Sequence, residues 1–267
     1  MKVALTIAGS DSGGGAGIQT DLHAFAAHGL HGTSAITAVT AQNTVGVSAW
    51  APVEPGLVEA QIDAVAQDMT VAAAKTGMLP SAAVVEAVVR AVRRNRLSTL
   101  VVDPVLLARS GDRLVDATAE RACVELLLPL ATVVTPNAAE AGALLGRPVR
   151  DLEELKAAAR DLHGLGPRAV LVKGGGIPGP RAVDVLFDGS ELVLLSVDRV
   201  DTPHTHGTGC TLSAAIAARL ALGDALRDAV AAAKDYLTAG LRDAYCVGRG
   251  RGCVRHHEVV AAGRHAR

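Results

Sequence analysis

The chain has 267 residues, enough for one large core, and its formal net charge of −1 gives no electrostatic reason to expect nucleic acid or an anionic membrane as partner. Hydrophobic residues make up 49% and aromatic ones only 2%, so the interior has to be built from Ala, Val, Leu and Ile. Four cysteines, Cys123, Cys210, Cys246 and Cys253, are too irregularly spread for a disulfide framework, and no apolar run is long enough to span a bilayer, so a soluble protein of the reducing cytoplasm, folded as one domain over 1–267, is expected.

Residues 3–8 form a short apolar run that ends in the glycine-rich stretch from Gly9 to Gly17, which reads as strand, loop and then a helix over 18–27. Residues 32–49 are rich in Thr, Val and Ile without a charged side chain, consistent with extended structure, and 33–49 is the candidate segment to close over a ligand. Pro55 opens the next helix, a strand follows over 71–76, and 81–93 is an amphipathic helix with Val84, Val85, Val88, Val89 and Val92 on one side. The alternation continues with strands at 99–102, 132–135 and 169–172 and helices near 116–127, 138–145 and 151–163. Residues 183–187 and 192–197 read as a β-hairpin, and two helices close the chain over 210–222 and 225–245. Such alternation implies an α/β fold with a mostly parallel sheet covered on both faces, and ligands at the carboxyl ends of the strands.

Polar motifs follow several of those strand ends. Late in the chain, His206-Gly207-Thr208-Gly209-Cys210-Thr211 turns directly into a helix. Gly207 and Gly209 let the backbone approach a ligand, and the free N–H groups of the helix start form an anion site. Thr208 adds a hydroxyl, and Cys210 places a thiol where the helix dipole is expected to lower its pKa. Asp103, before Pro104 and Val105, reads either as a carboxylate that binds a cation or orients a nucleophile, or as a turn-initiating Asp. Asn137 and Glu140 have the spacing of a helix N-terminal box, or alternatively hold the hydration shell of Mg²⁺. Lys173, before three glycines, could reach a phosphate or simply be solvated. Asp21 and Gln42 could read a polar ring, Gln42 offering both donor and acceptor, although each is equally an ordinary polar residue. Met78 is a core candidate first and a ligand contact second. Cys246, Cys253, His256 and His257 fit no short zinc-binding pattern, and Arg249, Arg251, Arg255, Arg264 and Arg267 read as a solvated basic end.

Taken in order, these segments resemble the hydroxymethylpyrimidine/phosphomethylpyrimidine kinases of the ribokinase superfamily. The carrying stretches are residues 5–11 with 14–19 and Asp21, Ala41-Gln42-Asn43-Thr44, Lys75-Thr76-Gly77-Met78-Leu79, Asp103-Pro104-Val105, Ser110-Gly111, Thr135-Pro136-Asn137 with Glu140, Lys173-Gly174-Gly175 and residues 204–211. The resemblance implies a ribokinase-like three-layer sandwich with a small β lid or hairpin, usually dimeric. It implies that ATP with Mg²⁺ phosphorylates 4-amino-5-hydroxymethyl-2-methylpyrimidine and then its monophosphate, as in thiamine biosynthesis. Asp21, Gln42, Met78 and Val105 would then face the pyrimidine, and Lys173, Asn137, Thr208 and Gly209 the nucleotide. Asp103 and Glu140 would hold the metal, Glu140 through water; Gly207, Thr208, Gly209 and Cys210 would form the catalytic anion hole, with Cys210 as base where many relatives have Asp. The sequence departs from the family's pattern at Asp11-Ser12-Gly13, where relatives often have Pro or a second Ser, and at Gly176, where His is common. A pyridoxal kinase of the same superfamily is the neighbouring expectation, and a non-catalytic pyrimidine sensor the one from another class.

Overall fold

A computed structural model of the chain describes residues 1–106 and 115–259; Ser110-Gly111 and the arginines Arg264 and Arg267 lie outside the described residues. In chain order the strands are β1 (Val3–Ala8), β2 (His31–Ile36), β3 (Ala38–Gln42), β4 (Val47–Pro52), β5 (Val71–Thr76), β6 (Leu100–Val102), β7 (Val133–Val134), β8 (Val170–Val172), β9 (Arg181–Phe187) and β10 (Leu192–Asp198). The helices are α1 (Gly17–Ala27), α2 (Pro55–Asp68), α3 (Ala82–Arg94), α4 (Ala117–Ala122), α5 (Ala138–Leu145), α6 (Leu152–His163), α7 (Thr208–Leu222) and α8 (Leu226–Arg242).

The strands of the main sheet lie in the order β10-β9-β8-β7-β6-β5-β1-β2, and β3 with β4 makes a separate antiparallel ribbon. From β2 to β8 the pairing is parallel; β9 alone runs against both of its neighbours. The inner strands are apolar on both faces because both faces are covered. Leu5, Ile7, Ala74, Leu100, Val102 and Val134 point towards α2 and α3, where they meet Val58, Ile62, Val84 and Val88. The alternate residues Ala4, Ala73, Val101, Val133 and Leu171 meet α1, α7 and α8 on the other side. The small side chains on the second face suit α7, whose residues Ala214 to Ala218 are completely buried. With almost no aromatics to fill gaps, this helix lies close against the sheet and is apolar nearly all round, as a central helix should be. The expected three layers are therefore present, with a mostly parallel sheet and a small antiparallel ribbon.

Three boundaries differ from the sequence reading. The extended stretch 32–49 divides at Thr37: its first part joins the main sheet as β2, and the rest lies in the β3–β4 ribbon. The helix expected over 116–127 is α-helical only to Ala122 and continues as a π turn, Cys123–Leu127, then a 3₁₀ turn, Leu128–Leu130. Pro129 has no N–H with which to extend an α-helical ladder. The last helix ends at Arg242 rather than 245 because the chain leaves it as a strap.

That strap, residues 244–259, returns across the carboxyl edge of the sheet. Tyr245 and Cys253 exchange both backbone hydrogen bonds, at 3.1 and 3.0 Å. Between them, the Gly250 and Arg251 amides donate to Thr44 at the tip of the β3–β4 ribbon, to its Oγ1 at 3.1 Å and its carbonyl at 3.0 Å. Further on, His256 Nδ1 and the Tyr236 hydroxyl of α8 share a 2.9 Å hydrogen bond, and the His256 ring lies 5.6 Å from that of His23 on α1. Burial, reinforced by His23, His28 and His257, pushes His256 down to about 4.

A histidine that refuses its proton in the folded state destabilises the fold as acid is added. Above the ordinary value near 6.5 both states leave it neutral; below that, the unfolded chain gains a proton that the folded chain takes up only near pH 4. Denaturant unfolding of the wild type is expected to lose up to about 3 kcal/mol between pH 6.5 and 4 from this group alone. His256→Gln should flatten that part of the profile relative to the wild type, and parallel profiles would contradict the assignment.

Candidate active site

The strand ends are tied to each other before any side chain is considered. The Gly77 amide donates to Ile7, the Asp103 amide to Thr76 and the Thr135 amide to Val102, at 3.0, 3.1 and 2.9 Å. Lys173 donates to Pro136 at 2.8 Å and accepts from Ala138 at 3.1 Å. The segments after β1, β5, β6, β7 and β8 are thus held side by side along one edge, and the start of α7 meets them there. A buried pair fixes the last of them: Lys234 reaches Asp184 at 2.6 Å, and the other Asp184 oxygen accepts the Gly174 amide at 2.9 Å.

Gly207 is the N-cap of α7, with φ of 79°, and no side chain caps the helix. A Cβ at Gly207 would overlap the carbonyl oxygen of Gly15, so the two glycine-rich loops touch at a point where only glycine fits. Residues 207–210 are half-buried, so solvent reaches this turn. The amides of the first turn have no side-chain cap, the condition in which a helix start can receive an anion. The two buried side-chain oxygens without a hydrogen-bond partner among the described residues lie at this same edge, Thr76 at the end of β5 and Thr211 in the first turn of α7.

Two ion pairs flank the mouth. Lys173 Nζ lies 2.8 Å from Asp103 Oδ1, which also accepts the Thr135 hydroxyl at 3.0 Å; Ser213 reaches the other Asp103 oxygen at 3.3 Å. Burial would raise the Asp103 carboxyl, but Lys173 and Lys75 outweigh it and hold it below its ordinary value. A Cβ built on Gly209 would sit 3.2 Å from Lys173 Nζ and 3.7 Å from Asp103 Oδ2, which places this pair against the anion loop. Deeper, fully buried Lys75 donates to both oxygens of Asp21, at 3.0 and 2.8 Å, and Thr6 donates to one of them at 2.6 Å. Burial works against the Lys75 ammonium, yet Asp21, Cys210 and Asp103 outweigh it, and Lys75 remains charged.

Asn137 and Glu140 form the N-terminal box of α5: the Asn137 side chain accepts the Glu140 amide at 2.9 Å, and Glu140 accepts the Asn137 amide at 2.8 Å. Burial pushes Glu140 up to about 7, with Lys173 drawing it down and Asp103 adding to the rise. Among the described residues no three His, Cys, Asp or Glu side chains are placed to hold a metal ion. A cation between Asp103 and Glu140 would therefore keep most of its shell as water and substrate oxygens, the habit of Mg²⁺. The donor set fits that ion.

Cys210 corrects one expectation. Burial, the largest influence, together with Asp21 and Asp103, pushes its thiol up to about 11, and Lys75 and the Gly17 amide do not offset this. The helix dipole was expected to lower it. Asp21 also differs from the sequence reading, since both its oxygens are taken up by Lys75 and Thr6 rather than left open to read a ring. Gln42 lies half-buried at the end of β3, its backbone exchanging hydrogen bonds with the Ser12 hydroxyl at 2.8 and 2.7 Å. Met78 and Val105 are half-buried, Met78 with its sulfur beside Gly9. Lys75 was missed as a functional candidate, although a lone lysine in the apolar run Val71–Thr76 requires a buried partner.

A profile of the family described as phosphomethylpyrimidine kinase matches residues 11–255. The chain belongs to the phosphomethylpyrimidine kinase family. It is 49% identical to a hydroxymethylpyrimidine/phosphomethylpyrimidine kinase of Synechococcus elongatus over 96% of this chain and 97% of that protein. Among solved structures, the phosphomethylpyrimidine kinase of Clostridium difficile superposes with a TM-score of 0.80 at 39% identity, covering 90% of this chain and 99% of that one. An ADP complex of Bacillus subtilis pyridoxal kinase superposes with a TM-score of 0.90 at 36% identity, covering 96% and 97%. Against these two solved structures, the ribokinase-type sandwich expected from the motifs is the fold observed.

In this chain the Lys75–Asp21 pair is a demanding element, because removing one partner strands the other's charge in the interior. Lys75→Met is expected to lower stability by roughly 3–5 kcal/mol in denaturant unfolding. Adding Asp21→Asn to it should recover most of that loss; a double variant no more stable than the single would sink this account of the pair.

Proposed function

We propose that the protein phosphorylates the hydroxymethyl group of 4-amino-5-hydroxymethyl-2-methylpyrimidine from ATP, and then its monophosphate to the pyrophosphate, as a cytoplasmic, dimeric enzyme of thiamine biosynthesis. The observation that carries this reading is the uncapped α7 mouth set against the Lys173–Asp103 pair, at the edge that also bears Gln42 and Met78. The family to which the chain belongs supplies the substrate class. The amides of residues 208–210 would receive the equatorial oxygens of the γ-phosphoryl group, and Lys173 would spread its charge. Asn137 and Lys173 would hold the nucleotide phosphates. Bound between Asp103 and Glu140, the latter through water, Mg²⁺ would neutralise charge on those phosphates. Gln42, Met78 and Val105 would enclose the ring; Asp21 would act from behind by anchoring Lys75. Val39, Val45, Val47 and Trp50 are exposed on or beside the β3–β4 ribbon, Val39 and Trp50 on its opposite faces, and this apolar surface would be available to a second copy.

Cys210 sits beside the receiving amides and would take the proton of the attacking alcohol. Only its thiolate can accept a proton, and with the thiol pushed up to about 11 this form is scarce at neutral pH. The alcohol step should therefore gain up to about tenfold in kcat/KM per pH unit above neutrality. The second acceptor is a phosphate monoester, already anionic, so its profile should be flat over the same range. Cys210→Ala should remove the slope from the first step and slow the second far less. Equal losses and equal profiles in both steps would mean that Cys210 only positions the acceptor.

The structural likeness to a pyridoxal kinase keeps one other reading in view, since pyridoxal also bears a hydroxymethyl group on a heteroaromatic ring. ADP release from purified protein with hydroxymethylpyrimidine, its monophosphate, pyridoxal and a sugar separates the cases. Turnover of both pyrimidines is expected, with kcat/KM above that for pyridoxal. The reverse order would make it a pyridoxal kinase, and ligand binding without turnover a sensor.

A further inference from the structure

The structure joins the two glycine-rich loops through a side-chain contact that no step of phosphoryl transfer requires. Asp11, in the loop after β1 and only 1% exposed, accepts the Gly13 amide at Oδ1, 2.8 Å, and the Gly15 and Ala16 amides at Oδ2, 3.0 and 2.8 Å. On that second oxygen it also meets His206 Nε2 at 2.8 Å, across 195 positions of sequence. His206 immediately precedes Gly207, whose α-carbon rests on Gly15. Although burial works against it, the hydrogen bonds from His206 and Gly13 hold the Asp11 carboxyl below its ordinary value, so it is a carboxylate and Nε2 is the donor.

Each loop is fastened to a different part of the site. Ser12, next to Asp11, exchanges two hydrogen bonds with the backbone of Gln42, and Gly9 packs beside the Met78 sulfur. The strap braces the other side: the His206 amide donates to Gly252 at 3.1 Å, and the Gly252 amide to His204 Nδ1 at 3.0 Å. We infer that His206 is a positioning residue, which through Asp11 sets the distance between the ring-holding residues Gln42 and Met78 and the phosphoryl-receiving amides of residues 207–210. The inference rests on the reading of those amides given above. Ring contacts and anion hole reach one another by the route Gln42, Ser12, Asp11, His206, Gly207, and the His206–Asp11 hydrogen bond is its side-chain link between loops. Loss of that bond would leave each half-site intact and misplace one against the other, a fault that appears in kcat rather than in binding.

The test is His206→Leu against His206→Gln, since glutamine can place an amide N–H close to the position of Nε2. His206→Asn, whose amide is too short to reach Asp11, serves in place of the leucine variant if that one does not fold. For both pyrimidine acceptors, His206→Leu should lower kcat about 10–100-fold with KM within about threefold, and His206→Gln should recover to within about threefold of wild type. Hydrogen exchange, which needs no substrate, should show peptides over 9–17 and 204–212 losing protection together in His206→Leu and regaining it together in His206→Gln. A wild-type kcat in His206→Leu, a loss confined to KM, no recovery with glutamine, or loosening of 204–212 alone would each overturn the inference. Should the wild type turn over neither acceptor, the substrate reading fails on its own and the paired loss of protection still decides the clasp.

Discussion

The first amides of α7 are left without a cap, and the surroundings keep them so. Gly207 has no side chain to offer them, and a side chain there would collide with Gly15. Uncapped helix starts are ordinarily solvated; this one is half-buried at the edge of a sheet, where water is a poorer substitute for a bound anion. Much of the fold serves that arrangement. The alanine face of α7 lets the helix lie close on the sheet, and the cross-strand hydrogen bonds hold the loops after β1, β5, β6, β7 and β8 level with its first turn. Asp184 and Lys234, a buried pair, hold Gly174 and through it the loop that carries Lys173.

The electrostatics of the mouth follow from which charges are already spoken for. Lys75 is consumed by Asp21, and Lys173 is shared with Asp103, so the site is not a reservoir of free positive charge. A phosphate would be received mainly by oriented amides, with Lys173 in a supporting part. The same bookkeeping explains Cys210. A helix N-terminus is worth about 0.3–1 kcal/mol to an anion, less than one pK unit. Removing a thiolate from water can cost several units, and two carboxylates stand nearby. Desolvation wins, and the thiol rises to about 11. Motif reading alone reaches the opposite sign because it sees the helix start and not the burial.

Legibility in the sequence divides along the same line. The strands and helices were readable because apolar periodicity is local: Val3–Ala8 and Val71–Thr76 have the bounds expected of them. Where a local rule failed, the cause was also local, as at Pro129. The edge bearing the site was readable from topology, since motifs after successive parallel strands must share an edge. What could not be read were pairings between residues far apart in the chain. Asp21 was visible as a polar residue on an apolar helix and Lys75 as a lysine in an apolar strand, but nothing local says that they meet across 54 positions. Asp11 and His206 are each part of a motif, and their union depends on how two loops are stacked. The strap over the ribbon tip is least legible of all, because Gly248 and Gly250 act through what they lack, a side chain in the path of Thr44.

Asn137 and Glu140 show why two readings of one motif need not compete. The box closes as capping chemistry requires, and that closure uses Oε2 of Glu140 and orients the rest of the carboxyl. The same carboxyl rises to about 7 chiefly because it is buried; Lys173 draws it down and Asp103 adds to the rise. A capping glutamate in solvent would feel no such influence. The cap therefore holds a second carboxyl group near Asp103, and Lys173 is the cation that stands between full repulsion and a tolerable pair. The side chain that caps the helix is thus also an acidic group of the candidate site, and the helix start and the electrostatics there rest on one pair of hydrogen bonds.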